Sequence, residues 1–286
     1  TWNAAGIYAV RARARCATHT NIVSNWSAEF IVTIGSELVS TPNTPSGPSF
    51  GVVNNYSQTE YPFDKSYSFI TGGSNSSLNH PVQYQIDWGD GTTSDWLPVG
   101  TINASKTWTK GGVFTVKARA RCATHTDVVS NWSSGFVVTV EEISPPNMLS
   151  GPVTGLPNTS YTYSTGGAFS NLSGHQVQYL FDWGDNTNSG WLATGVTSAS
   201  KSWTTVTEAN KDGFKIKSRA KCVTDTLAVS VWTSELTVKI EYVSAPSTPT
   251  GPKEGFPGTS YTYTAGGAFS SIGDPVEYQF DWGDGT

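Results

Sequence analysis

Apolar and polar residues alternate with a period of two through several short stretches of this chain. Phe114, Val116, Ala118, Ala120 and Cys122 share one parity, with Thr115, Lys117, Arg119 and Arg121 between them. Val82, Tyr84, Ile86 and Trp88 follow the same rule, as do Phe136, Val138 and Val140. Successive side chains of a strand point to opposite faces, so the pattern predicts half-buried antiparallel strands. No stretch carries a helical period. Many short strands set between turn residues predict an all-β chain folded as β-sandwiches.

The alternating segments recur. RARARCATHTNIVSNWS at 11–27 aligns with KARARCATHTDVVSNWS at 117–133 and KSRAKCVTDTLAVSVWT at 217–233. The cysteines fall at Cys16, Cys122 and Cys222, and Trp2, Trp108 and Trp203 form a second equivalent set. Pro-rich joints start at Val39, Ile143 and Val243, each followed by a Tyr-rich segment and then by DWGDGT, DWGDNT or DWGDGT. Self-similarity at about 100 residues marks a tandem array. The expected organisation is the back part of a repeat over 1–41, complete repeats over 42–141 and 142–241, and the front part of a repeat over 242–286. Thr1 aligns with Thr107 and Thr286 with Thr92, so the tail of one copy joined to the head of another lacks only positions 93–106. The window is cut from a longer array, or its two part-repeats complete each other between molecules.

The DWGD stretch ends one alternating strand and is followed by polar residues. Asp closes an Asx-turn onto its own backbone, and Gly supplies the left-handed conformation that a tight hairpin needs. Asn186 replaces Gly91 and Gly285, and Asn is the next-best residue for that conformation. A tight turn is therefore expected. Asp87, Asp90, Asp182 and Asp185 are weak candidates for calcium, because a calcium loop needs six to eight oxygen ligands and only two carboxylates stand together here. A solvated turn also gives no burial to separate two carboxylate pKa values for acid–base work.

YQIDWGDGT, YLFDWGDNT and YQFDWGDGT, followed by GGVFTVKARA and SNWS, resemble the signature of the PKD-type domain, an immunoglobulin-like β-sandwich of extracellular proteins. The resemblance covers nearly the whole repeat. Ile86, Phe181 and Phe280 stand where many members carry Trp, and cysteine stands where Asp is common. Phe114 and Phe214 replace the Tyr that Tyr8 retains, so a hydroxyl corner bond is expected in that copy alone. The resemblance implies a structural or adhesive spacer with no catalytic residues to transfer. The fold expected is thus tandem immunoglobulin-like or PKD-like antiparallel β-sandwich repeats joined by short Pro-rich linkers.

Each repeat holds one cysteine of inward parity, too few for a bridge within a repeat, so the cysteines read as buried thiols or as intermolecular bridges. His19 and His125 share one position, and His80 and His175 lie just ahead of the DWGD strands. No Ser-His-Asp, His-x-x-His or Cys-x-x-Cys spacing occurs, and the histidines read as surface loop residues with no zinc cage. Arg11, Arg13 and Arg15, and likewise Lys117, Arg119 and Arg121, form an outward basic ladder. Cross-strand carboxylates or solvent would offset it, and a neighbouring protomer or an anionic glycan would use it. Asn-x-Ser/Thr sequons at Asn25, Asn55, Asn75, Asn103, Asn131, Asn158 and Asn171 are glycosylation candidates, with Asn25 and Asn131 at one repeat position.

Composition narrows the partners. Only 14% of the 286 residues are charged, 11 are Trp, and the net charge is −5. Nucleic acid is not an expected partner of such a chain, and no apolar run is long enough to span a membrane. Neither an enzyme nor a resident cofactor is expected. The expected function is the extracellular or cell-surface shaft of a filament, stalk or surface-layer adhesin, with neighbouring copies of itself as partners. A carbohydrate-binding module, with Trp96 and Trp191 stacking on a surface glycan, is the alternative, as is the spacer array of a secreted hydrolase.

Overall fold

The computed structural model describes residues 1–53, 65–204, 206 and 212–285. It divides into two compact units: Thr1–Ser49, Ser66–Lys106 and Val113–Val138 form the first, and Phe50–Lys65, Thr107–Gly112 and Thr139–Thr286 the second. The described residues contain no α-helix, as the period-two pattern predicts, and none of their segments is a helix long and apolar enough to cross a membrane.

In the first unit β1 (Gly6–Val10) pairs antiparallel with β2 (Phe30–Ile34). Strand β4 (Tyr67–Ile70) pairs with β6 (Asn103–Lys106), and β5 (Val82–Asp87) pairs with β7 (Gly112–Cys122) from Val82 opposite Cys122 to Asp87 opposite Lys117. That register buries the predicted parity: Ile86, Val116, Ala118, Ala120 and Cys122 have no exposed surface, while Lys117, Arg119 and Arg121 lie on the other face. The rings of Phe69 and Trp88 meet edge to face at 5.9 Å within this core.

The second unit is a two-sheet sandwich. One sheet orders β10 (Thr154–Gly155), β15 (Leu236–Ile240), β14 (Phe214–Cys222) and β12 (Val177–Asp182). The other orders β13 (Ser198–Lys201), β11 (Tyr161–Gly166) and β9 (Met148–Ser150). Between them pack Tyr163, Phe181, Trp183, Trp203, Phe214, Ile216, Val238 and Ile240. Large aromatic rings supply most of the area such a core removes from water. The pairing of β12 with β14 runs from Val177 opposite Cys222 to Asp182 opposite Lys217, the same register as β5 with β7.

Two pairings depart from the antiparallel expectation. Strand β3 (Phe50–Val52) runs parallel to β8 (Phe136–Glu141), and β10 runs parallel to β15. Parallel neighbours need a long connection, and here some eighty residues separate each pair, so the strand that follows a joint can lie alongside a strand far downstream.

The Pro-rich segments read from the sequence as joints are held by hydrogen bonds. Ser40, Ser144 and Ser244 donate their N–H to the carbonyls of Asn75, Phe169 and Phe269 at 2.9, 2.9 and 3.0 Å. Their hydroxyl oxygens accept the N–H groups of the same three residues. The joint glycine is sterically obligatory: a Cβ at Gly151 would sit 2.2 Å from Cδ1 of Tyr163, and one at Gly47 would sit 2.5 Å from Cδ1 of Phe69.

Candidate functional site

The DWGD stretch is a hairpin turn whose carboxylates are spent locally. Asp87 Oδ1 accepts the Gly89 N–H at 2.9 Å, closing the expected Asx-turn, and Asp182 does the same for Gly184 at 3.0 Å. Asp90 Oδ1 accepts both the N–H and the hydroxyl of Thr92, and its Oδ2 lies 2.6 Å from Lys106 Nζ. Asp185 pairs with Lys201 in the same way at 2.6 Å. Burial pushes both carboxyls up, but the hydrogen bonds from the lysine and threonine outweigh it and hold them below their ordinary range. Asn186 adopts φ 63° where Gly91 has 86°, so the Gly-to-Asn exchange keeps the backbone. The tyrosine corner is also found: Tyr8 donates its hydroxyl to the Ala4 carbonyl at 2.9 Å.

The basic ladder is offset in a way neither carboxylates nor solvent anticipate. Arg119 stacks its guanidinium 4.6 Å from the Trp132 ring centroid and 5.3 Å from that of Trp96, and Arg121 lies 4.5 Å from Trp96. Both arginines also donate to the side-chain oxygens of Gln85 and Gln83. Arg219 and Lys221 repeat this over Trp232 and Trp191, and Arg13 lies 4.8 Å over Trp26. Among the described residues, Arg11 of the six ladder candidates pairs with a carboxylate, Glu29, at 3.4 Å. Interleaved cations and indoles attract through the ring quadrupole, which removes the repulsion that a bare ladder would carry. Trp96 and Trp191 are therefore half-buried, with cations over their rings, rather than exposed platforms.

Among the sequons, Asn25, Asn75, Asn103, Asn131 and Asn158 are exposed, while Asn55 lies outside the described residues. Asn171 spends its amide on the chain: Oδ1 accepts the Glu142 N–H and Nδ2 donates to the Val140 carbonyl at 3.0 Å.

The structure also assembles a constellation that the spacing did not show. Glu37, His80, Cys122 and His125 converge until one donor atom from each lies within 4.8 Å of all the others. Glu37 comes two residues before the first joint, His80 precedes β5, and Cys122 and His125 end β7 and the turn after it. Register explains the meeting, because Val82 opposite Cys122 brings the end of β7 beside the entry to β5. His80 Nδ1 lies 3.1 Å from Glu37 Oε1 and 3.6 Å from Cys122 Sγ, and His125 Nδ1 lies 2.6 Å from Glu37 Oε2. The Thr124 and His125 N–H groups point at the sulfur from 3.3 and 3.2 Å. The Glu37 side chain is almost fully buried. A hydrogen bond from the Ser76 hydroxyl is the largest influence on its carboxyl and, with Cys122, His125 and His80, lowers it from 4.5 to about 2 against the opposing effect of burial.

A second cluster repeats three of these four residues. Glu141 Oε1 lies 2.9 Å from His175 Nδ1, which lies 3.4 Å from Cys222 Sγ. Ser170 donates to Glu141 Oε1 at 2.7 Å, as Ser76 does to Glu37. Asp225 replaces His125, and the fully buried Glu141 Oε2 has no hydrogen-bond partner. Cys222 packs among Val52, Ile143, Tyr179, Ala220 and Ala228, and burial pushes its thiol up. In both clusters sulfur and carboxylate approach the same histidine nitrogen. A nucleophilic relay instead places its thiol and its orienting carboxylate on opposite ring nitrogens, so this is a convergent donor set and not a triad.

The readable trace of this site was the Cys-x-x-His spacing of CATH at 16–19 and 122–125, together with a Glu two residues ahead of every joint: Glu37, Glu141 and Glu241. Cys122 and Cys222 are buried as their parity predicts, but Cys16 is exposed.

No family model matches the chain, and no curated protein matches it in sequence. Among solved structures it is similar to the PKD domain of an M14-like peptidase from a Thermoplasmatales archaeon, with 24% identity over 36% of this chain and 94% of that one at a TM-score of 0.28. It is also similar to the fibronectin(III)-like modules of Clostridium thermocellum CbhA, with 17% identity over 71% of this chain and 95% of that one at a TM-score of 0.27. The chicken CNTN1 FN1–FN3 domains share 10% identity over 80% of this chain and 77% of theirs, at a TM-score of 0.27. These are immunoglobulin-like β-sandwich modules.

Proposed function

We propose that this chain is a non-catalytic structural segment of an extracellular or cell-surface protein, the repeated shaft of a filament, stalk or surface-layer adhesin. The observation that carries this reading is the joint. Three Pro-rich segments that would serve as flexible tethers in a bead-string are each held by a reciprocal pair of hydrogen bonds from one serine. Proline stiffens such a segment and pinning removes what freedom is left, so the chain favours fixed spacing over reach. The partners in this reading are further copies of the same repeats. The part-repeat over 1–41 exposes Phe30 and Cys16, while that over 242–286 exposes Tyr278 and Trp282, residues whose counterparts in the complete repeats are covered or partly covered. In this reading another copy of the repeat covers them.

Electron microscopy of the native full-length material tests the proposal. Regular fibres with an axial period set by one or a few repeats are expected, and Cys16 should lose its reactivity toward a thiol reagent when they form. Isolated flexible strings with Cys16 reactive throughout would sink it. The carbohydrate-binding alternative gains nothing from Trp96 and Trp191, whose rings are partly taken by Arg119, Arg121, Arg219 and Lys221.

A further inference from the structure

We infer that Glu37, His80, Cys122 and His125 form a structural site for a zinc-type divalent ion, and that Glu141, His175 and Cys222 form a weaker three-ligand version of it. One carboxylate, two imidazoles and one thiolate make a donor set suited to a borderline-soft, tetrahedral cation and poorly suited to calcium or magnesium. Zinc bonds of roughly 2.0–2.3 Å place tetrahedral donors roughly 3.3–3.8 Å apart. The sulfur–nitrogen separations of 3.6 and 3.4 Å fall in that range, and the Glu–His contacts of 2.6–3.1 Å need only a small expansion to reach it.

Three further observations point to a cation rather than to a hydrogen-bond network alone. Sulfur and carboxylate both approach Nδ1 of the same histidine, yet a neutral imidazole nitrogen can serve only one of them by hydrogen bonding. Two backbone N–H groups aim at Cys122 Sγ, the kind of outer hydrogen bond that orients a metal-bound ligand. The buried Glu141 Oε2, at the position where His125 engages Glu37 Oε2, is left without a partner. A buried carboxylate oxygen facing a histidine and a thiol is costly unless something positive completes the group. An ion at the first cluster would tie the segment leading into the joint at Val39 to the paired strands β5 and β7, and so lock the joint more firmly than its serine does.

The test uses the full chain carrying Cys16→Ser, which removes the stray Cys-x-x-His pair, freed of metal by chelator under reducing conditions. Titration with cobalt(II) should give one tightly bound equivalent, with the thiolate-to-metal charge-transfer band and the intense visible bands of a tetrahedral site, and zinc should displace it. Cys122→Ser should abolish that charge-transfer band and weaken binding by more than about 100-fold, beyond what loss of an outer hydrogen bond costs. His125→Asp copies the residue at the same place in the other cluster, so it should fold normally and still weaken the site at least about 10-fold. Asp225→His should create a second tight equivalent. Absence of a charge-transfer band, or a first equivalent that survives Cys122→Ser, would overturn the assignment. So would an Asp225→His chain that folds but binds no second ion, because the fourth ligand would then not be what separates the two clusters.

Discussion

The same seventeen residues, with three differences, appear at 11–27 and at 117–133, and they behave differently. In the second copy β7 runs eleven residues to Cys122, and its inward side chains from Val116 to Cys122 are fully buried. In the first copy β1 ends at Val10, and every residue from Arg11 to Arg15 is exposed. The cross-strand neighbour differs: β7 lies against β5, and residues 11–16 have no counterpart of β5 in the described first unit. The tail shows the converse, because Val276–Asp281 has the alternation of β5 and forms no described strand. Propensity is nearly the same in both members of each pair, so pairing and burial make the strand. What survives at 11–27 is what is local: Ser24 and Ser27 still accept the N–H groups of Ala14 and Ala12, as Ser130 and Ser133 accept those of Ala120 and Ala118.

The largest expected break in this comparison is at the turn glycine. Gly89 and Gly283 share φ 76°, so alanine brings the same backbone strain to both. At Gly89 the new Cβ also lies 2.5 Å from the Thr115 backbone nitrogen, whereas at Gly283 it meets nothing within 4 Å. Gly89→Ala should cost about 3 kcal/mol or more and Gly283→Ala about 1 kcal/mol, read as shifts in the urea midpoint. Equal shifts would mean that the paired and unpaired copies are not packed differently.

A smaller effect is expected at the tyrosine hydroxyls. Tyr84 and Tyr278 accept the N–H groups of Ser74 and Ala268, both at 3.2 Å, the first buried and the second exposed. Tyr84→Phe leaves a buried donor unsatisfied and should cost about 1–3 kcal/mol, while Tyr278→Phe should cost about a few tenths, since water replaces the lost acceptor. Thermal melts of the two variants against the parent separate these outcomes.

The smallest effect belongs to the ion pair between Asp90 and Lys106. Asp90→Asn should cost at most about 1 kcal/mol, and less in high salt, because the Asp90–Lys106 pair is partly solvated. Its folded carboxyl is held below 3.8. The contribution is therefore fully present above that value and is lost as pH falls through the lower folded pKa. Stability of the parent should fall more steeply below about pH 4 than that of Asp90→Asn, and parallel curves would show that the pair contributes nothing.

Much of the fold was legible because its signals are local. Parity placed Ile86, Val116 and Val138 in the core, and the exchange of Gly91 for Asn186 identified the left-handed turn position. The donor cluster was not legible, since Glu37, His80 and Cys122 stand about forty residues apart and only the register of β5 with β7 brings them together. A short spacing rule finds ligands on one turn and misses those that adjacent strands deliver. The cation–indole stacks were hidden for the same reason, since Trp96 and Trp132 reach Arg119 from separate loops. Parity also misplaced Cys16, because it reports which face a side chain would take and not whether anything covers that face.

The serine latch has a consequence for the order in which the chain folds. Ser130 and Ser133 reach Ala120 and Ala118 across ten and fifteen residues, whereas Gln83 and Gln85 reach Arg121 and Arg119 across 38 and 34. Shorter loops close sooner and at lower entropic cost. The latch should thus form first and occupy one side of the nascent strand before β5 arrives at the other. In a chain whose strands are near-duplicates, this leaves each new strand a single open side to fill, and the order of closure limits exchange between neighbouring repeats.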